Sequence, residues 1–173
     1  MQFINRMKIK KAKITEIDQI MNMYDSCVSG MIEANIDQWD SSYPNRKIIL
    51  DDIKNKTFYI LLINNEIIAG INIDKIQDKT YLNITWEDIE NKFLVVHRLA
   101  VHKEYWNKGA GKKLMLFAES LVKENNLNSI RLDTYNSNPK AINFYLKLGY
   151  VKKGEIFLKP DKNEYYCFEK LIT

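Results

Sequence analysis

The 173-residue chain has few of the residues that staple, kink or anchor a protein. Its two cysteines, Cys27 and Cys167, lie far apart and match no metal-ligand or redox spacing, which excludes a zinc ribbon, a Cys-x-x-Cys redox site and a disulfide scaffold. Two free thiols in a reducing cytoplasm are the expectation. Histidine is as scarce, with His97 and His102 alone, and no metal is expected. Six glycines and three prolines exclude low-complexity and fibrous classes, so each of these residues marks a particular turn or cap. No apolar run reaches membrane-spanning length, and Met1–Arg6 lacks the apolar segment of a secretion signal, so no membrane partner is expected. The net charge of +4 suits an anionic ligand but is too small to argue for nucleic acid.

What is present reads as one globular domain over residues 1–173, with ordinary shares of hydrophobic (46%) and charged (28%) residues. Met7–Lys13 alternates as a first strand. Thr15 is read as the cap of a helix, with Asp18 completing a capping box and Ile17, Ile20, Met21, Tyr24, Val28 and Met31 on its apolar face. Pro44 is placed in the first turn of a second helix through Ile48, Ile49 and Ile53. Residues 57–63 and 66–73 form a hairpin about Asn64-Asn65, since asparagine tolerates the positive φ of a tight turn. A central strand covers Lys92–Val101 after a polar segment, Asp74–Asn91. Leu114, Phe117, Ala118, Leu121 and Val122 then mark a helix with one buried face. Ser129–Thr134 is a strand, Asn138-Pro139 opens a helix that Gly149 closes, and two antiparallel strands finish the chain. The order β-α-α-β-β-β-α-β-α-β-β predicts a mixed α/β (α+β), mostly antiparallel sheet with one strand–helix–strand crossover.

That crossover holds the informative turn, Trp106-Asn107-Lys108-Gly109-Ala110-Gly111-Lys112-Lys113. A glycine turn at a helix start leaves backbone N–H groups free for an anion, and the helix dipole adds partial positive charge there. A Walker A loop fails: Trp106 stands where its first glycine belongs and Lys113 where its hydroxyl belongs. A dinucleotide fingerprint fails as well, because Leu114 takes the third glycine's place.

Leu99-Ala100-Val101 followed by this turn resembles the GNAT superfamily of acetyl-CoA-dependent N-acyltransferases, whose signature is Arg/Gln-x-x-Gly-x-Gly/Ala after such a strand. The family's second block, Asn-x-x-Ala-x-x-Phe/Tyr-Tyr-x-x-x-Gly-Phe/Tyr, is matched by Asn138 through Tyr150, with Ala141, Phe144, Tyr145, Gly149 and Tyr150 at its fixed positions. Trp106 departs from the family, where Arg or Gln is usual. The resemblance implies a mostly antiparallel sheet flanked by helices with a splayed central strand pair. It also implies acetyl-CoA as acetyl donor, an amine acceptor and direct attack in a ternary complex. A small-molecule amine is the leading acceptor; acetylation of a protein N-terminus and a non-catalytic acyl-CoA-binding module are the alternatives. Homodimers are common in the family, and no stretch of this chain demands one.

The resemblance also implies roles. Leu99, Ala100 and Val101 would lie along the pantetheine arm, with a backbone N–H at or beside Val101 facing the thioester oxygen. Trp106, Asn107, Lys108, Gly109, Ala110, Gly111 and Lys112 would hold the pyrophosphate, and Asn138 and Ala141 would line the cofactor. Tyr145 would protonate the leaving thiolate, although helical spacing alone reads it as core. His97 would take the amine's proton, with Glu87 and Asp88 as rival bases and a satisfied core histidine as the plainer reading. His102 is expected at the surface or near the cofactor. Trp39, Tyr43 and Trp86 would line the acceptor side, where Asp37, Asp40, Glu87 and Asp88 would attract a cationic amine.

Overall fold

Asn64 and Asn65 both hold positive φ, 48° and 68°, and join strand β2 (Phe58–Ile63) to strand β3 (Glu66–Asp74) as the hairpin reading predicts. The computed structural model describes residues 6–158 and 164–172. The reading of Met1–Asn5 therefore lies outside the described residues. Backbone contacts divide the chain into two compact units, residues 1–73 with 98–116 and residues 74–97 with 117–173.

In the first unit, β1 (Lys8–Lys11) pairs antiparallel with β2, and β2 with β3. Strand β3 is buried from Ile67 to Ile73, which explains its apolar run. Gly70 is required there: a Cβ would lie 2.8 Å from the Phe58 ring. Helices α1 (Ile17–Glu33) and α2 (Arg46–Lys54) bury Ile20, Met23, Tyr24, Cys27, Ile49 and Ile53 in one cluster with Phe58, Ile60 and Ala100.

Two helix starts differ from the sequence reading. Thr15 lies inside a 3-10 turn, Ile14–Glu16, where Glu16 Oε2 accepts a 2.8 Å bond from the Lys13 N–H. The longer Glu16 side chain reaches back to the preceding backbone, and α1 begins after it. Pro44 stands before α2 rather than within it. Asn45 is the cap, its Oδ1 accepting from the Ile48 N–H at 3.0 Å, a bond that Tyr43 lacks the short side-chain acceptor to make.

In the second unit, β5 (Ser129–Tyr135) pairs antiparallel with β7 (Tyr165–Leu171), which pairs antiparallel with β6 (Val151–Ile156). Helix α4 (Pro139–Lys147) begins as predicted: Asn138 Oδ1 accepts from the Ala141 N–H at 3.0 Å, and Pro139 holds the first turn. Gly149, with φ 84°, follows its last turn. Arg131 is fully buried, with its guanidinium 3.9 Å from the Phe93 ring centroid and 4.6 Å from that of Trp86. Glu169 and the Asp88 carbonyl accept its N–H bonds, so the buried charge is paired.

Strand β4 (Phe93–Val101) and helix α3 (Ala110–Glu124) run through both units. The β4–α3–β5 connection is the predicted crossover. Its parallel ladder covers Phe93–Val96 and Ser129–Leu132, while β4 continues for five residues past it. Seven strands, mostly antiparallel and flanked by helices, give the α/β class expected.

Candidate active site

In the first unit, the candidate residues begin at Arg98, two residues past the end of the parallel ladder. Arg98 has φ 52°, a left-handed conformation that costs a non-glycine residue about 1 kcal/mol or more. Its surroundings hold it there. Tyr24 donates its hydroxyl to the Arg98 carbonyl at 2.6 Å. Asp52 takes Nε and Nη2 in a bidentate pair, both bonds 2.8 Å. Tyr43 accepts from Nη1 at 3.5 Å. The left-handed residue puts a kink in β4 at Arg98.

Val101 is held at both of its polar backbone atoms. Its carbonyl accepts a 2.7 Å bond from Trp106 Nε1. Its N–H donates to the Cys27 sulfur, a weak acceptor; burial pushes that thiol up to about 11, with the N–H pulling the other way. The Trp106 ring lies against α1 where Gly30 leaves room, since a Cβ at position 30 would sit 2.7 Å from the indole edge. Trp106 therefore braces the strand end with the same indole that replaces the family's Arg or Gln.

The turn itself has the geometry of an anion cradle. Asn107 and Gly109 hold positive φ, 61° and 87°. The Gly109 carbonyl accepts from the Lys113 N–H at 3.0 Å, so α3 starts there and the N–H groups of its first turn have no intrahelical acceptor. Lys108 and Lys112 are exposed, with Lys108 Nζ over the Tyr105 ring, whereas Lys113 Nζ is bound to the Met7 carbonyl at 2.7 Å. No carboxylate occurs between Trp106 and Lys113. The residues present fit a bound pyrophosphate. His102 is half-buried just before the turn, and its Nδ1 accepts from the Glu104 N–H.

The acceptor-side aromatics of the first unit form a chain of rings. Trp39 lies 6.0 Å from Tyr24 and 6.2 Å from Tyr43, each partly exposed except Tyr24. Asp37 is exposed, and Asp40 accepts from the Ser42 N–H and hydroxyl within its own turn.

In the second unit, Tyr145 is buried between Phe144, Tyr150 and Phe168, with centroid distances of 5.2, 5.9 and 6.0 Å. Among the described residues its hydroxyl has no hydrogen-bond partner. Burial, and then the nearby Asp133 charge, raise its pKa well above the ordinary phenol value. Ala141 is half-buried one turn before it.

His97 Nε2 lies 2.9 Å from the Ile76 carbonyl and 3.2 Å from Asp74 Oδ1. Asp88, a rival base by sequence, is buried and accepts from the N–H groups of Glu90 and Lys92 and from Asn128 Nδ2, which makes it a loop organiser. Glu87 pairs with Lys153. Trp86 donates Nε1 to the Tyr81 carbonyl at 3.0 Å and stacks near Arg131, so its indole serves the second unit's core.

Tyr24, Asp52, Arg98 and Asp74 were not singled out from the sequence. Tyr24 reads as one more apolar-face residue, and a positive φ inside a strand of bulky residues leaves no composition signal. Among the described residues, no group of three or more His, Cys, Asp or Glu converges as metal ligands, and no helix is long and apolar enough to cross a membrane.

The chain as a whole belongs to a known class of enzyme. The chain is a member of the GNAT family of acetyltransferases, whose family model matches residues 17–150. The uncharacterised N-acetyltransferase YesJ of Bacillus subtilis is 24% identical over 138 residues, 79% of this chain and 74% of YesJ. A GNAT-family acetyltransferase of Streptococcus agalactiae superposes with a TM-score of 0.80 at 25% identity, over 95% of each chain. The PaiA N-acetyltransferase of Thermoplasma acidophilum, solved with coenzyme A, shares the fold with a TM-score of 0.72 at 18% identity, over 95% of this chain and 98% of its own. The protein is thus an acyltransferase.

Proposed function

We propose that the protein transfers acetyl from acetyl-CoA to a primary amine of a small molecule, by direct attack within a ternary complex. The observation that carries the reading is the turn at the start of α3, where Asn107 and Gly109 adopt positive φ and open backbone N–H groups in a segment free of carboxylates. PaiA, of the same fold, was solved with coenzyme A, which agrees with that use of the turn.

When bound, acetyl-CoA supplies an activated acetyl thioester. Trp106 to Lys112 would hold its pyrophosphate through backbone N–H groups, with Lys108 and Lys112 adding charge. Asn138 and Ala141 would line the cofactor. Leu99 to Val101 would align the pantetheine arm. The Val101 N–H rests on a weak sulfur acceptor, which a developing oxyanion displaces readily. His97 would take the proton that the amine must lose, and Tyr145 would give its phenolic proton to the departing thiolate.

On the acceptor side, Trp39 and Tyr43 keep exposed ring surface suited to a cationic amine. Trp86 is the weakest member of the acceptor set, since its N–H and one ring face are already in use. A thiol-release assay with acetyl-CoA against polyamines, aminoglycosides, amino acids and short peptides tests the reading. Turnover with a small amine supports it. Tight acetyl-CoA binding without turnover on any of them opposes it and favours a sensor.

A further inference from the structure

The geometry points to Asp74 as a positioning residue that, with the Ile76 carbonyl, fixes His97 as the Nε2–H tautomer and leaves Nδ1 as the proton-accepting nitrogen. The inference rests on the reading of His97 as the base.

Both contacts to the ring fall on the same nitrogen. The Ile76 carbonyl, 2.9 Å from Nε2, can only accept, so the proton of the neutral ring sits on Nε2. Asp74 Oδ1, 3.2 Å away, shares that proton. One N–H per neutral imidazole then leaves the lone pair on Nδ1. The two acceptors are themselves tied together, since Asp74 Oδ1 also takes the Ile76 N–H at 2.7 Å. The end of β3 and the turn after it, Asp74-Lys75-Ile76, thus form a small bracket around the ring edge. His97 and Asp74 are 22% and 14% exposed at the side chain, so their mutual contact is partly shielded from water.

The consequence for proton transfer is direct. A proton arriving from the amine adds to Nδ1, no bond at Nε2 is broken, and the resulting imidazolium finds a carboxylate already beside it. The arrangement has the logic of a carboxylate that orients a catalytic imidazole without itself being protonated. Asp74 and Ile76 act through the ring.

Long-range proton–nitrogen-15 spectra of the whole protein test the tautomer without any acceptor. The expected pattern is protonated Nε2 and bare Nδ1 at His97, with both nitrogen signals moving in Asp74→Asn. A protonated Nδ1, or signals indifferent to Asp74→Asn, overturns the assignment. Kinetics test its use, with acetyl-CoA and whichever amine of the panel turns over fastest. Asp74→Asn is expected to lower kcat roughly 10- to 100-fold, part of what a general base contributes, with KM for acetyl-CoA within twofold. Asp74→Glu should recover part of the loss. In the His97→Gln background, Asp74→Asn should add little further loss, because its effect passes through the ring. A fall in His97→Gln without one in Asp74→Asn overturns the role of Asp74 and leaves His97 as base. No fall in either removes the base reading itself, and the assignment with it.

Discussion

The indole N–H of Trp106 donates a 2.7 Å hydrogen bond to the carbonyl of Val101, and so joins the first residue of the glycine turn to the last residue of β4. The position that departs most plainly from the family pattern is therefore a brace. Trp106 turns inward onto α1 at Gly30.

Removing the N–H while keeping an aromatic side chain tests the brace. Trp106→Phe is expected to lose about 1 kcal/mol of stability, the usual worth of one such bond, measured by urea denaturation. Trp106→Arg should be worse despite matching the family, because it removes the ring that fills the space beside Gly30. Gly30→Ala should cost about 1–3 kcal/mol by forcing the indole and Lys103 aside. A neutral Gly30→Ala would show that the indole moves freely.

Tyr145→Phe isolates the leaving-group acid. The expected result is a fall in kcat of about 100-fold, at the lower end for general acid catalysis, with acetyl-CoA affinity unchanged by calorimetry. An unchanged kcat would return Tyr145 to a purely packing role among Phe144, Tyr150 and Phe168.

Arg98 and Asp52 form the ion pair that supports the kink in β4. Arg98→Met leaves the mostly buried Asp52 carboxylate without its guanidinium and should destabilise by about 3 kcal/mol. It should also lower activity more than stability explains, since the left-handed turn at Arg98 loses its anchor. Thermal melting and thiol release, read together, separate the two effects.

Alkaline pH should unfold the protein early. Burial raises the folded-state pKa of Cys27 from 9.0 to about 11, and also raises Tyr145 and Tyr24 above the ordinary phenol range. For groups raised on folding, the stabilisation is complete below the unfolded value and is lost as pH climbs through the folded one. The urea midpoint should therefore hold up to about pH 9 and fall steadily above it. Alkylation of Cys27 by iodoacetamide at pH 8 should be slow unless urea is added. Fast alkylation of the native protein would contradict the burial of Cys27.

Most of the fold was legible in the sequence because its turns carry explicit signals. Asn64-Asn65, Asn138-Pro139 and Gly149 each specify a backbone conformation that few other residues supply, and each stands where it was expected. Helix starts were read less well, because Thr15 and Pro44 are good local signals that Glu16 and Asn45 outcompete with better-placed acceptors. The backbone of the glycine turn was legible for the same reason as the other turns, with positive φ at Asn107 and Gly109. What could not be read was every feature set by contact between distant segments. The Arg98 kink depends on Tyr24 and Asp52, the bracket around His97 on the end of β3, and the role of Trp106 on a gap left by Gly30. Asp88 and Trp86 illustrate the converse: by type they suit catalysis or amine binding, but their hydrogen bonds serve the second unit's own structure.

The central claim is direct acetyl transfer from acetyl-CoA to an amine, and initial rates of thiol release with both substrates varied test it most directly. Intersecting reciprocal plots, with acetyl recovered on the amine and none on Cys27 or Cys167, are the predicted result. Parallel plots with an acetylated protein, or thiol release that ignores the amine, would contradict it.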